Sequence, residues 1–259
     1  RAPPAGSREP DVQLRELLTK QGKWLFRWRS FLPILVILLV VPALRDPAFR
    51  GHEDGFDFGD VWEIICVAVA CFGLAVRGYT VGQVPAGTSG RNTRDQRADV
   101  LNTTGIYSVV RHPLYVGNFF IWLGVSMFVR SWWLSLVFIL LFALFYERII
   151  FTEEEFLREK FGKAWEDWAA RTPVFLPRFK NYVKAALPFS LRNAVAKEYH
   201  VSINVILAFA VIEVLEGLVT ERKFELHVGW AVAVACGLAA WVTIRVLKKK
   251  TDILRVEGR

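Results

Sequence analysis

Two apolar runs, Leu114 to Val129 and Trp132 to Phe145, are separated only by Arg130 and Ser131. So short a break joins two helices only as a tight antiparallel hairpin. Each run approaches the ~20 apolar residues that cross a bilayer's hydrocarbon, where backbone N–H and C=O groups must be bonded within their own segment. Four further runs repeat the pattern: Phe31 to Leu44, Val61 to Val76, Val201 to Val219 and Val228 to Ile244. The expected fold is therefore all-α, a polytopic transmembrane protein of about six spans. The first run is short and would borrow Trp28 or Trp24 from its flank, and Arg77 with Gly78 is expected to end the second. A chain 53% hydrophobic and 14% aromatic, with mean hydropathy +0.30, excludes an ordinary soluble domain. Its net charge of +8 sits in the flanks of the apolar runs, which suits anionic headgroups and cytoplasmic loops rather than nucleic acid.

The segments between the runs set the expected topology. Lys and Arg concentrate in the N-terminal flank, from Arg77 to Arg111, from Arg148 to Lys197 and in the tail Lys248–Lys250. The segments Arg45 to Asp60, Arg130 to Ser131 and Thr220 to His227 carry few or balance them with acids. Six spans with both termini cytoplasmic satisfy the positive-inside rule throughout. Asp11 to Ser30 is either an amphipathic surface helix or the charged flank of the first span. Thr80 to Thr104, broken by Gly82, Pro85, Gly87 and Gly90, is a loop that either lines a site or merely connects. Tyr146 to Asp167 continues the fourth span as a charged helix, and Val183 to Tyr199 reads as a separate amphipathic, interfacial helix. Three parts follow: a flank over 1–30, a core over 31–182 whose motifs lie in 84–182, and a C-terminal part over 183–259. No secretory-signal pattern is expected ahead of the first run. Cys66, Cys71 and Cys236 all fall in apolar runs and the four histidines do not cluster, so neither a disulfide framework nor a metal site is expected.

One stretch concentrates polar chemistry at a span's edge: Gly105-Ile-Tyr-Ser-Val-Val-Arg-His-Pro-Leu-Tyr-Val-Gly117. Pro113 suits the first position of a helix, where its missing N–H is no loss. Arg111 and His112 then stand at a helix N-terminus, whose unpaired amides and dipole favour an anion. A snorkelling anchor would explain Arg111 alone. A second block follows: Glu153-Glu-Glu-Phe-Leu157, Phe161-Gly162, Trp165, Trp168 and Pro173-Val-Phe-Leu-Pro177. Together the two blocks resemble the integral-membrane methyltransferases that include isoprenylcysteine carboxyl methyltransferase and the phospholipid N-methyltransferases. The resemblance runs from about Val84 to Tyr182. Trp165 and Trp168 stand where that family has tyrosines, so aromatic bulk is kept and two hydroxyls are dropped.

The resemblance implies S-adenosylmethionine as methyl donor, S-adenosylhomocysteine as product, and a lipid or prenylated acceptor entering from the bilayer. Methyl transfer from a sulfonium needs donor and nucleophile held in line with water excluded. It implies cofactor contacts from His112 and Glu154 first, then Gly105, Tyr107, Tyr115, Gly117, Asn118, Phe161, Trp165, Leu176 and Pro177. Arg111, Glu154 and Arg171 are the residues it puts nearest to catalysis. An amine acceptor would need a proton taken up by Glu153, Glu154 or water; a carboxylate acceptor would not.

Other readings stay open. A phospholipid headgroup N-methyltransferase would use the same donor site. NADPH-dependent sterol reductases share a similar Arg-His-Pro-x-Tyr-x-Gly helix, but lack the glutamate block and commonly have more spans. A non-catalytic scaffold would keep the helices for binding. Gly117, Gly124 and Ser126 would let another helix approach closely. Glu213 and Glu216, intramembrane carboxylates, are functional candidates by default, although helix contact or water access explains them equally. The C-terminal hairpin either closes the active site or mediates a homodimer.

Overall fold

The computed structural model describes residues 10–28, 32–45, 58–85 and 98–259. The glycines and arginines expected at 86–97, and most of the acid-rich segment at 46–57, lie outside them. The fold is all-helical: α1 (Pro10–Trp28), α2 (Leu32–Leu44), α3 (Phe58–Gln83), α4 (Pro113–Phe128), α5 (Trp132–Phe161), α6 (Lys163–Ala169), α7 (Leu191–Thr220) and α8 (Val228–Lys250). Within the described residues all six apolar runs of the sequence are helical. Among the described residues α3, α5, α7 and α8 are long and apolar enough to cross a membrane, and α4 is a shorter apolar helix.

The α4–α5 turn is as tight as its two residues require: Arg130 takes φ 57°, and its N–H donates to Met127 O at 2.9 Å. The α3–α4 pair is closer still, because glycines meet where the helices cross. A Cβ on Gly117 would lie 2.8 Å from Gly73 O, and one on Gly73 only 2.5 Å from Gly117 O. One crossing further along, a Cβ on Gly124 would stand 2.5 Å from Cys66 O. Around this spine Val40, Leu44, Cys66, Ala70, Val125, Phe128 and Phe209 form the main buried cluster, drawn from α2, α3, α4 and α7.

α1 does not stand apart from the bundle. It packs on the part of α5 beyond the apolar run, where Leu25 and Phe26 join Ile149 and Ile150. Arg148 Nε donates to Gln21 Oε1 at 3.0 Å.

Three expected boundaries are corrected. α3 continues through Arg77 and Gly78 to Gln83, since the Arg77 side chain turns inward to partners on α4 and α7. The charged extension of α5 breaks at Gly162, whose φ of 51° closes one helix and opens α6. Val183 to Tyr199 is not a separate interfacial helix. Residues 183–190 are non-helical, Ser190 caps α7 by accepting from Asn193 N, and no breaker interrupts the helix before Thr220.

Candidate functional site

The Gly105–Arg111 segment is held against 173–186 by a ladder of bonds. Gly105 N–H donates to Val183 O at 2.9 Å, Arg111 N–H to Pro173 O at 2.9 Å and Arg178 N–H to Val109 O at 3.0 Å. Val183 N–H donates to Ser108 Oγ, and Trp168 Nε1–H to Tyr107 O at 2.9 Å. Gly105 takes φ 60°, ψ −134°, a conformation side-chain-bearing residues rarely adopt. The two sequence blocks, about forty residues apart, thus form one cap over the α4 N-terminus.

Pro113 is the first residue of α4 and His112 its N-cap, with no side-chain capping bond; the imidazole is turned towards α5. His112 Nε2 lies 3.0 Å from Glu154 Oε1, and Arg111 NH1 donates to Glu154 Oε2 at 2.9 Å. Glu154 therefore bridges the two motif residues with both oxygens. Glu153 points the other way and accepts from Tyr115 Oη at 2.7 Å, with His112 Nδ1 at 3.8 Å. The His112 and Tyr115 rings stack at 5.5 Å, and Tyr146 meets Tyr115 edge-on at 4.9 Å. Burial, then the charge of Glu153, pushes the Tyr107 phenol above its ordinary range, so it stays protonated and uncharged at neutral pH.

These groups border a cavity of about 390 Å³. Tyr107, Arg111, His112, Tyr115, Asn118, Glu153 and Trp168 line it, as do Ile121, Trp122 and Val125 of α4 and Lys197, His200, Val201, Asn204, Val205 and Ala208 of α7. Of the candidates read from sequence, Tyr107, Arg111, His112, Tyr115 and Asn118 line the cavity, and Glu154 stands immediately behind them. Gly117 serves the α3 crossing. Arg111 lies 5.9 Å over the Trp165 ring. Arg171, Leu176 and Pro177 are exposed, Leu176 at 79%; Phe161 ends α5 beside the Gly162 break. Glu213 and Glu216 lie on the distal half of α7, near Arg130 and Glu63, away from this cap.

The residues missed by motif reading come from α3 and α7. Arg77 Nε donates to Glu198 Oε2 at 2.7 Å, and its NH1 to Asn118 Oδ1 at 2.6 Å. Asn118 Nδ2 passes the chain on to Tyr146 Oη at 3.2 Å. This relay joins α7, α3, α4 and α5 around one wall of the cavity. On its far side α8 steadies α7: Trp241 Nε1 donates to His200 Nδ1 at 3.0 Å, and Lys248 Nζ to Ala196 O at 2.8 Å. The only sequence signal for any of this was polar residues, Glu198, His200 and Asn204, recurring on the first turns of a long apolar helix.

S-adenosylmethionine carries a carboxylate, an ammonium, ribose hydroxyls and an adenine. Among the described residues two buried donors at the cap, Arg111 Nε and Trp165 Nε1, have no hydrogen-bond partner, which suits a carboxylate. Glu153 supplies negative charge, Asn102 and Asn118 supply amides, and Tyr107, Tyr115 and Trp168 supply aromatic walls. The residues present fit the group. No group of three or more His, Cys, Asp or Glu side chains that could hold a metal is gathered among the described residues.

The family model for phospholipid methyltransferase matches residues 64–164. The nickel-cobalt-cadmium resistance protein NccN of Alcaligenes xylosoxydans xylosoxydans is 30% identical over 151 residues, 58% of this chain and 63% of that protein. The protein-S-isoprenylcysteine O-methyltransferase of Schizosaccharomyces pombe is 34% identical over 142 residues, 53% of this chain and 57% of that enzyme. The cobalt-zinc-cadmium resistance protein CzcN of Cupriavidus metallidurans is 40% identical over 87 residues, 34% of this chain and 40% of that protein. The chain thus spans less than two thirds of the length of these relatives. No solved structure matches. The matched residues carry most of α3, the Arg111-His112-Pro113 turn and both glutamates, and over that stretch the chain is similar to phospholipid methyltransferases and to an isoprenylcysteine O-methyltransferase.

Proposed function

We propose that the protein is an S-adenosylmethionine-dependent methyltransferase acting on a membrane-embedded lipid or prenylated amphiphile. The observation that carries this reading is Glu154 bridging Arg111 and His112 beside a cavity that is polar at the α4 N-terminus and apolar along α4 and α7. When bound, the cofactor supplies an electrophilic methyl on a sulfonium. Arg111, with its unpartnered Nε, and Trp165 would receive its carboxylate, Glu153 its ammonium, and Tyr107, Tyr115 and Trp168 its adenosine. Glu154 acts as a positioning residue: it holds the guanidinium and the imidazole in fixed orientation, so that donor and acceptor meet in line. The cap of 105–111 on 173–186 excludes water from that end. For an amine acceptor, Glu153 receives the proton; a carboxylate acceptor needs no base. The distribution of Lys and Arg supports a cytoplasmic position for this end, where the donor is made.

Calorimetric titration of detergent-purified protein with S-adenosylhomocysteine, and separately with NADPH, tests the reading. Micromolar binding of the first alone, lost in His112→Ala and Glu154→Ala, is expected. Binding of NADPH alone would replace it with a reductase, and binding of neither with a scaffold.

A further inference from the structure

We propose that the outer face of the cap, over residues 176–192, docks on an anionic lipid headgroup layer, with its apolar side chains among the upper acyl chains and its cations at the phosphates. This surface is separate from the cavity and does not depend on the reaction carried out there.

The sequence supplies the charge. Between Asp167 and Glu198 the chain has no Asp or Glu, while Arg171, Arg178, Lys180, Lys184, Arg192 and Lys197 punctuate the stretch. Near an anionic leaflet each such cation adds attraction that salt screens. Arg178, Lys180, Lys184 and Arg192 are all exposed. Large apolar residues stand exposed between them: Leu176 at 79%, Phe179 at 77%, Leu191 at 67%, and Tyr182, Val183 and Phe189 at about half. Single apolar side chains on a surface mean little, but a group of this size marks an interaction face. It also lies outside residues 64–164, so the family match does not reach it.

The fold sets the depth of this face. Ser190 N–H donates to Gly82 O at the end of α3 at 2.8 Å, and Gly105 N–H, just ahead of α4, to Val183 O at 2.9 Å. Leu191 is the first residue of α7, and Phe189 stacks on Tyr79 of α3 at 6.0 Å. The patch is therefore level with the ends of three apolar helices, where aromatic and basic side chains concentrate at a membrane boundary. It sits no deeper, because residues 183–190 are non-helical and lipid-exposed irregular backbone is not tolerated in hydrocarbon. A position out in water would leave Leu176 and Phe179 hydrated. Charge alone would suit any acidic partner; charge interleaved with apolar side chains at the level of the helix ends suits a lipid surface. On its inner side the same segment holds Val109 O through Arg178 N–H, so the element that would rest on the leaflet is the one that closes the site.

The test compares the full chain in nanodiscs of phosphatidylcholine with the full chain in discs of equal parts phosphatidylcholine and phosphatidylglycerol. Amide hydrogen exchange, followed by mass spectrometry, is expected to slow at least threefold over 176–192 in the mixed discs. Combining Arg178→Gln, Lys180→Gln, Lys184→Gln and Arg192→Gln should remove that difference, and raised salt should narrow it. Bimane attached to Phe179→Cys, with the native cysteines replaced, reports depth: brominated acyl chains should quench it at least twofold, and more strongly in the mixed discs. Equal exchange in the two discs, or a label that the bromines leave unquenched, overturns the proposal. Protection in detergent that grows with protein concentration also overturns it, and gives the face to a second copy of the chain instead.

Discussion

Glu154 has both carboxylate oxygens committed, one to Arg111 and the other to His112. Glu154→Gln keeps the shape, removes the charge and turns an N–H₂ towards one of two former donors. Breaking a buried pair by removing one partner costs up to about 3–5 kcal/mol. With Arg111 and Glu154 side chains 13% and 18% exposed, solvent screening brings the expected loss to about 2 kcal/mol. S-adenosylhomocysteine affinity should fall at least tenfold and the unfolding midpoint in detergent should drop. The two tryptophans offer a sharper contrast. Trp168 Nε1–H serves Tyr107 O, so Trp168→Phe leaves a carbonyl short of a donor and should cost about 1 kcal/mol of stability. Trp165 Nε1 has no partner; Trp165→Phe should spare the midpoint and weaken S-adenosylhomocysteine several-fold. Equal loss of stability in both variants would contradict these assignments. The sequence blocks disclosed these residues because Arg-His-Pro and Glu-Glu are local signatures. They did not disclose that Glu153, rather than Glu154, lines the cavity. Adjacent residues of a helix differ by about 100° in direction, and only the packed position of α5 decides which one faces inward.

At the scale of helices, the α3–α4 crossing decides whether the cap stands over the cavity. Gly117→Ala would place a methyl group 2.8 Å from Gly73 O and 2.5 Å from Arg77 Cγ. Overpacking of this kind costs about 1–3 kcal/mol. Here it also pushes the side chain that bonds Asn118 and Glu198, so acceptor kcat/KM should fall further than S-adenosylhomocysteine affinity, read side by side by turnover and calorimetry. Gly78→Ala, on the same helix with nothing within 4 Å, is the matched control and should change neither. The helices themselves were legible, since each apolar run and the Arg130–Ser131 turn follow from composition alone. Their ends were less so. Arg77 and Gly78 read as a stop because a charge beside a glycine commonly ends a span. The helix runs on because Arg77 finds its counter-charge, Glu198, on a helix 121 residues later, and no local pattern encodes that. The merger of the expected interfacial helix with α7 has the same origin: its polar residues face a cavity that only the tertiary fold creates.

For the molecule as a whole, the chain direction makes orientation testable at two points. The α4 N-terminus, the α7 N-terminus and the α8 C-terminus with Lys248–Lys250 share one end of the bundle, tied by Lys248 to Ala196 O and by Val183 to Gly105. The α4–α5 turn and the α7–α8 connection stand at the other, where Arg130 pairs with Glu63 at 3.2 Å and Lys223 with Glu221 and Glu225. Basic charge is therefore unbalanced at the site end and neutralised at the distal end, and the positive-inside rule makes the unbalanced end the one expected in the cytoplasm. In a background with Cys66, Cys71 and Cys236 replaced by serine or alanine, Phe224→Cys marks the distal end and Asp252→Cys the site end; both positions are exposed. A membrane-impermeant maleimide applied to intact cells should label only Phe224→Cys, and applied to inverted vesicles only Asp252→Cys. The reverse pattern would put the Arg111–His112–Glu154 cluster on the face away from the cytoplasmic donor supply. A cofactor site there would have no source of S-adenosylmethionine, so this one labelling experiment bears on the proposed chemistry as directly as a substitution in the site.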